Sequence, residues 1–474
     1  MAHNQDSIAP KWFRLNRVVG RDMFWLMGFS AILLLALQPF SSYIAALPFI
    51  QAEWNMTNSQ AGLVFSSYLL GSAVSSLALA PLTDQLSPRR VLLLGVILLA
   101  LSNLLFPLLA YNIWLGLGLR FLAGAGHIAA YIPGIQLVSQ RYGGRRRGMA
   151  VGVFVSAGYA GTTTSYVFMG MLLNYTSSWR LAYLMIALVG LVGVGLAFIL
   201  TRTTGVEASA GEDRGAAVQP AKASTPASSK GVGVEASAGE DQGRAAEPAK
   251  ASTPGSLDKG RRWLNLGVLR DRSAALVITA YALHTAELYL ARLWFPLLLG
   301  ATLTRSGREP VEATALATTW AGFMFMTAIA GVFMGGALSD YLGRSGGAML
   351  IFSLSGLCSF VAGWLIDLPP IFLIGLGFVY GFTTAADSAI YSTAIIELSP
   401  PGQIGSSQAV QSFIGFAIGA IMPVVAGSIL DITRSGTGWG LAFSFNGLLA
   451  LMAVLALVWL RSLPQAKRMA AGKC

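Results

Sequence analysis

The chain carries twelve apolar runs of membrane-crossing length, at approximately 23–49, 60–82, 91–110, 113–138, 148–173, 180–201, 274–300, 314–338, 347–367, 370–396, 407–430 and 439–461. About 20 apolar residues in helical form cross the hydrocarbon core of a bilayer. Water is not available to the backbone there, so only helices and closed barrels can span it. A barrel is written in short segments of alternating polarity, and these runs do not alternate. The composition agrees, with 54% of residues hydrophobic and 11% charged, against roughly 25% charged in a soluble domain. The sequence thus predicts an all-α membrane protein of twelve transmembrane helices. The first run follows "KWFRLNRVVGRD" and lacks a small-residue cleavage site behind it, so it reads as a retained span and not a signal peptide.

A net charge of +11 is interpreted by where the charges fall. With the N-terminus inside, 26 of the 32 Lys and Arg lie in tails and inner loops, four (Arg180, Arg305, Arg308, Arg434) lie outside, and Arg120 and Arg292 lie within spans. This asymmetry places both termini in the cytoplasm and removes the reason to expect a nucleic-acid partner. Cys358 in the ninth run and Cys474 at the end of the chain form no plausible disulfide. The Asn55-Met-Thr and Asn174-Tyr-Thr triplets match the glycosylation pattern but sit in short loops against the membrane, where a chance match is the simpler reading.

Five segments follow from the pattern: a tail over 1–22, a six-helix bundle over 23–201, a linker over 202–272, a second six-helix bundle over 273–461 and a tail over 462–474. The linker is rich in Ala, Gly, Ser, Pro, Glu and Lys and has too little apolar surface to build a core. It repeats itself, as "GVEASAGEDRGAAVQPAKASTP" from 205 and "GVEASAGEDQGRAAEPAKASTP" from 233, and reads as a tether. The bundles echo each other. "GLRFLAG" at 118–124 and "GLGFVYG" at 375–381 are offset by 257, and Asp84 and Asp340 by 256, so the chain reads as a duplicated unit with its halves related by an axis along the membrane normal.

The turn after the eighth span, "GALSDYLGR" from Gly336 to Arg344, fits G-x-L-x-D-x-x-G-R at every fixed position, and here the chain resembles the major facilitator superfamily of secondary transporters. The matching turn "APLTDQLSPRR" keeps Leu82, Asp84, Arg89 and Arg90 but has Ala80 and Ser87 in place of glycine. "RFLAGAG" at 120–126 is similar to the family's R-x-x-x-G-x-G element, and "GVFVSAGYAG" resembles its antiporter motif except that Tyr159 stands where that motif has proline. The resemblance implies a gate. Asp84 and Asp340, each at an inner helix end, are expected to latch onto helix N-termini of the opposite half, near Ser406 and Gly148, while the cytoplasmic side is closed. Arg89, Arg90, Gly336, Gly343 and Arg344 complete the gating set.

The resemblance also implies that the first, fourth, seventh and tenth spans line a central cavity. At ~1.5 Å per residue, His127, His284, Glu287 and Asp387 all fall within about two turns of the midplane. A charge at that depth costs roughly 2.5–3.5 kcal/mol even on a lenient scale, and leucine would serve the fold equally well. His284 and Glu287 are three residues apart and share a face of one helix. Arg120 and Arg292 lie toward the outer ends of their spans, and Gln38, Ser41, Ser42 and Tyr43 offer uncharged hydrogen-bonding groups, with Gln408 and Gln411 nearer the cytoplasm. The repeat counterparts of Arg120, His127 and Asp387 are Gly377, Thr384 and Ala130, so the six-helix plan itself does not require these charges.

The expected function is proton-coupled secondary transport, by alternating access, of a small anionic or zwitterionic solute. Two arginines and two histidines against two carboxylates favour that class over a cation. The expected partners are the bilayer, the solute and protons, for a monomeric protein with no cofactor or metal in a cell membrane. A drug-type proton antiporter exporting hydrophobic compounds is the near alternative, and a non-transporting sensor or scaffold of the same fold is the distant one. An enzyme is disfavoured because no metal-ligand cluster, phosphate loop or nucleophile elbow is present. A channel is disfavoured because the charges are scattered and form no ring.

Overall fold

The computed structural model describes residues 11–142, 146–176, 178–215, 266–400, 403–433 and 436–472, and the side chains of these except at 11–21, 80–85, 146–148, 203–215 and 471. Most of the duplicated linker thus lies outside the described residues. The helices are α1 (Lys11–Ala36), α2 (Ser42–Trp54), α3 (Asn58–Gln85), α4 (Pro88–Leu109), α5 (Ile113–Arg141), α6 (Arg146–Thr176) and α7 (Trp179–Gly215) in the first half. The second half has α8 (Arg272–Arg305), α9 (Pro310–Leu342), α10 (Arg344–Ala362), α11 (Pro370–Ala386), α12 (Ser388–Leu398), α13 (Ile404–Thr433) and α14 (Thr437–Ser462). Among the described residues ten helices are long and apolar enough to cross a membrane. The other two spans expected from sequence are accounted for physically. The first is divided between α1 and α2, and α6 is long enough at 31 residues, but its Thr162–Ser165 run lowers its hydropathy.

Short connections alternate the helix directions, giving one face that holds the starts of α1 and α8 and the ends of α7 and α14, here the terminus face, and an opposite far face. Within the first bundle α4 and α3 pack on α5, and α1 packs on α6; within the second, α10 packs on α14, α11 on α9, and α13 and α14 on α8. The duplication is visible in the packing. A Cβ added to Gly124 would stand 1.8 Å from the Tyr68 carbonyl oxygen, and one added to its counterpart Gly381 would stand 2.3 Å from that of Met324. Only glycine permits either helix crossing, which is how small residues bring helices together where no hydrophobic drive separates lipid from protein.

Two lining spans are interrupted, and not at repeat-related places. Pro39 withdraws an N–H from the ladder, and residues 37–41 form turns between α1 and α2; its counterpart Pro296 lies inside an unbroken α8. Conversely, α11 ends and α12 begins at Asp387, whereas Ala130 lies inside an unbroken α5. Discontinuous helices at membrane depth free backbone polar groups and are tolerated where they serve a site.

The bundles meet along two antiparallel helix pairs, α3 with α13 and α6 with α9. Close approaches mark the far half of both. A Cβ on Gly427 would meet the Asn58 carbonyl oxygen at 2.4 Å, and one on Gly170 would meet that of Ala315 at 2.6 Å. At the extreme end Asp431 accepts hydrogen bonds from the backbone N–H of Asn58 (2.8 Å) and of Ser59 (2.9 Å), satisfying two of the donors that the start of α3 leaves open. A carboxylate of one bundle therefore caps a helix of the other.

Candidate functional site

In the first bundle the site begins with Arg120. α5 carries it into the interior, where it is 1% exposed, and its guanidinium carbon lies over Tyr68 at 4.7 Å, Tyr43 at 5.1 Å and Phe40 at 6.0 Å. None of its three side-chain nitrogens makes a hydrogen bond of good geometry among the described residues, although the Tyr183 hydroxyl stands within reach. Three desolvated cation–π contacts are worth up to about 2 kcal/mol each, enough to offset much of the several kcal/mol needed to bury a charge. They do not satisfy the donors, each of which costs ~1–3 kcal/mol while unmet. Rings solvate this arginine but do not neutralise it.

Of the groups around Arg120 some are committed, while the Tyr68 hydroxyl has no hydrogen-bond partner among the described residues. The Tyr43 hydroxyl donates to the Ala61 carbonyl at 2.9 Å. At the break between α1 and α2, Gln38 Nε2 donates to Thr164 Oγ1 at 2.7 Å and Ser41 Oγ to the Thr162 carbonyl at 2.7 Å. The interruption is thus stitched to the polar run of α6 that lowers that helix's hydropathy. His127, two turns along α5 from Arg120, lies between Tyr68 and Tyr131, with ring centroids 5.8 and 5.9 Å away. Its Nδ1 is unpartnered and its ring is in electrostatic range of Arg292.

Arg292 reaches the same region from the second bundle. Its guanidinium lies 5.5 Å from the ring of Tyr159 on α6, and its carbonyl accepts from the Tyr166 hydroxyl at 2.8 Å, so both contacts cross between the bundles. Nε is buried without a partner, and no acidic group pairs with Arg292 among the described residues.

The acids are placed differently. Glu287 is fully enclosed in the second bundle; its Oε1 accepts from Ser355 Oγ on α10 at 2.8 Å, and its Oε2 is unpartnered. Asp387, 1% exposed, stands at the α11/α12 break with Oδ1 2.9 Å from His284 Nδ1, while His284 Nε2 is 2.9 Å from Ser388 Oγ. Beside them Tyr380 and Asn446 Nδ2 both donate to Ser359 Oγ, at 3.2 and 3.1 Å. The sequence reading gathers six ionisable groups around one cavity. The structure separates them: Arg120 is sealed among rings inside the first bundle, His127 and Arg292 lie toward the junction of the bundles, and His284, Glu287 and Asp387 lie inside the second. His284 and Glu287 share a helix face as expected, but each has its own partner. Gln411 Nε2 donates to the Tyr391 carbonyl at 3.2 Å and joins two helices of one bundle.

Sequence reasoning passed over Ser355, Ser359, Tyr380 and Asn446 because hydroxyls and a single amide are common in apolar helices. It also passed over Tyr68, Tyr131, Tyr166 and Tyr289 and met Tyr159 only as a departure from a motif; their convergence appears only when helices of both halves are assembled. A signal was present, since the chain's 14 tyrosines fall largely within spans.

Of the gating residues, Asp340 pairs with Arg344, which also donates to Ser339 Oγ at 2.8 Å and to Glu397 Oε1 at 2.9 Å. Gly343 holds φ at +85°, a left-handed value that suits glycine, and ends α9 while opening α10. A Cβ on Gly336 would meet nothing within 4 Å. Arg89 is half-buried and Arg90 exposed at the start of α4; the Asp84 side chain lies outside the described residues.

Comparison with known proteins places this geometry in context. A Haemophilus influenzae protein assigned by name only to metabolite transport is 24% identical over 419 residues, covering 86% of this chain and 87% of that one. The enterobactin exporter EntS of Escherichia coli is 28% identical over 178 residues, 35% of this chain and 43% of the exporter, so the likeness spans less than half of that protein's length. The fold is that of a solved bacterial homologue of the human lysosomal transporter Spinster, in inward-facing unoccupied and occupied conformations. The TM-score is 0.59 for both, at 15% and 14% identity, over 92% and 93% of this chain and 95% of each of those chains. The sequence profile of the Major Facilitator Superfamily matches residues 24–314, more than half of the chain, and this multi-pass membrane protein belongs to that family.

Proposed function

We propose that the protein is a secondary active transporter that moves a small anionic or zwitterionic solute in exchange or in company with protons, by rocking one bundle against the other. The carrying observation is the separation of charge: Arg292 at the junction of the bundles and Arg120 sealed behind it in the first, neither with an acidic partner among the described residues, and carboxylates held by a hydroxyl and a histidine within the second bundle. The first set suits a ligand that brings negative charge. The second suits a proton, since Glu287 has one oxygen bonded to Ser355 and one without a hydrogen bond of good geometry among the described residues, and so holds a hydrogen without rearrangement. On this reading Arg120, His127 and Arg292, with Gln38 and Tyr43 behind them, serve the solute, and Glu287, Asp387 and His284 serve the proton. The terminus face is the cytoplasmic face of a cell membrane, and the protein works as a monomer.

The helix register supports the rocking. Along α6 and α9, Gly170 faces Ala315 and Thr319, and Gly322 faces Val167 and Thr163. Continued toward the terminus face, the same register sets Gly152 opposite Gly336, and a Cβ on either would meet nothing within 4 Å. Two unoccupied small residues on facing helices are what closure of that side requires, and they fit a state closed at the far face. Asp340 and Asp84, at the terminus-face ends of their helices, are then the latches of the opposite state, mirroring Asp431. Export is a second reading of direction, favoured by the partial likeness to an exporter.

The test is solute flux in reconstituted vesicles under an imposed pH gradient, beginning with organic acids. Flux that follows the gradient and loses that dependence in Glu287→Gln or Asp387→Asn supports the proposal. Gradient-independent flux that both variants leave unaltered removes the proton from it. Binding of hydrophobic cations in preference to organic acids would replace it with drug-type antiport.

A further inference from the structure

Aromatic rings in the interior fall into two kinds. Phe29, Phe65 and Phe106 are sealed, below 2% exposure, and account for packing. Tyr131, Tyr159 and Tyr289 are only half-buried, as is His127, yet they come from α5, α6 and α8, three helices on both sides of the bundle junction. Tyr131 is in electrostatic range of both Tyr159 and Tyr289, and Tyr289 is in range of Arg292. Ring surface that stays accessible deep between two bundles is unusual for packing, because closer approach would bury it.

We infer that the site between the bundles takes an aromatic carboxylate, with its carboxylate on Arg292 and its ring among Tyr131, Tyr159, Tyr289 and His127. This deepens the proposed transport of an anion and rests on it. Arg292 supplies the anchor because its planar fork matches a carboxylate and no acid among the described residues competes for it. Its guanidinium already lies over Tyr159, so a carboxylate bound there brings an attached ring against tyrosine faces. Aromatic pairs prefer offset or edge-to-face geometry at centroid separations of about 4.5–7 Å, and the site offers rings at several orientations. Arg120 lies deeper, with its nitrogens sealed behind Phe40, Tyr43 and Tyr68; it adds positive potential without touching the ligand in this conformation. An aliphatic acid would gain the charge contact alone.

The experiment compares two probes of equal charge and similar size, benzoate and cyclohexanecarboxylate, by thermal shift titration of the purified full-length protein, with tetraphenylphosphonium as a cationic third. Benzoate is expected to bind about three- to tenfold more tightly than cyclohexanecarboxylate. Arg292→Gln is expected to weaken both acids by about tenfold or more. Tyr159→Leu and Tyr289→Leu are expected to bring the ratio of the two acids toward unity by weakening benzoate more than cyclohexanecarboxylate, and Tyr159→Phe is expected to keep the ratio. If a leucine variant fails to fold, the wild-type ratio and the phenylalanine variant decide. Benzoate binding no more tightly than cyclohexanecarboxylate, including binding of neither, overturns the inference. Equal binding of both acids leaves the anion reading standing, whereas binding of tetraphenylphosphonium alone overturns both.

Discussion

The two bundles share a six-helix plan and treat charge in opposite ways. In the first, Arg120 is packed among rings and given no acid. In the second, the equivalent position is Gly377, and the space is filled by Met324, whose Sδ would lie 2.3 Å from an added Cβ. Ala130 is an ordinary residue of an unbroken α5, whereas its counterpart Asp387 interrupts a span and meets a histidine at 2.9 Å. Since one architecture is stable with either arrangement, neither is the cost of folding. The difference teaches a division of labour. On the proposed reading the first bundle keeps its positive charge sealed among rings, while the second sends Arg292 to the junction and keeps its acids inside, where a proton can be held apart from the ligand.

The largest expected effect strikes at the first half of this contrast. Arg120→Met removes an unneutralised buried charge and puts a flexible apolar side chain among the same rings. If the arginine is retained for function, transport falls by about 100-fold or more, while the ligand-free protein becomes more stable by about 1–4 kcal/mol, as replacement of buried charges by apolar groups often does. Melting temperature and flux together read both. A variant that melts earlier and still transports would make Arg120 a structural residue and erase the comparison.

The second prediction sharpens the other half. Glu287→Gln keeps a carbonyl oxygen to accept from Ser355 but cannot exchange a proton. Each unit of pH gradient is worth 1.36 kcal/mol per proton, so a one-proton coupling supports about tenfold accumulation, and the variant should show none while still exchanging solute across vesicles at equal pH. Ser355→Ala, which leaves the acid but removes its donor, should shift the pH dependence of flux without abolishing accumulation. Accumulation undiminished in Glu287→Gln would place the proton elsewhere.

Between these lies the question of how much could be read in advance. The twelve spans, the duplication and the turn at Gly336–Arg344 were legible because membrane length and glycine spacing are local properties of the chain. The six interior ionisable residues were legible because a charge in an apolar run is conspicuous. Their partition was not, because which side of α8 faces the other bundle depends on the rotation of the helix. His284, Glu287 and Arg292 lie on one helix within nine positions of each other, and only assembly sends Arg292 to the junction and the other two inward. Asp431 escaped notice for a related reason. A lone acid at a helix end looks like surface charge until the start of α3 is brought to it from the other bundle.

Asp431 gives the third prediction. Its carboxylate holds two backbone donors of α3, and loss of a helix cap costs about 0.5–2 kcal/mol. Asp431→Ala should therefore lower the ratio of far-closed to far-open states by about two- to thirtyfold. Distances between spin labels placed at the far ends of α3 and α13 would report this as a broadened, longer component. Unchanged distances would mean that the glycine contacts alone hold the far face and that the cap adds nothing.

The smallest effect supplies a control on the same helix as Glu287. Asp271 precedes the membrane-length stretch of α8 as its N-cap, accepting from the backbone N–H of Ser273 and Ala274 and from Arg468 at 2.6 Å. Burial pushes its carboxyl up, but the hydrogen bond from Arg468 and those from the two backbone groups outweigh it and hold it below the usual carboxylate value. A carboxyl whose folded value is depressed contributes stability that is fully present above its unfolded value, about 3.9, and is lost as pH falls through the folded value. An asparagine in its place would retain a capping oxygen, so Asp271→Asn isolates the ionised part, which for a partly exposed pair is below about 1 kcal/mol. The melting temperatures of the two proteins should differ by a constant small amount above about pH 5 and converge as the solution is acidified further. Flux should keep its pH dependence in this variant, because the acid that titrates at the surface of α8 is not the one enclosed within its bundle. If Asp271→Asn instead reproduced the phenotype of Glu287→Gln, the distinction between surface and interior acids on that helix would fail, and with it the assignment of the proton to the second bundle's interior.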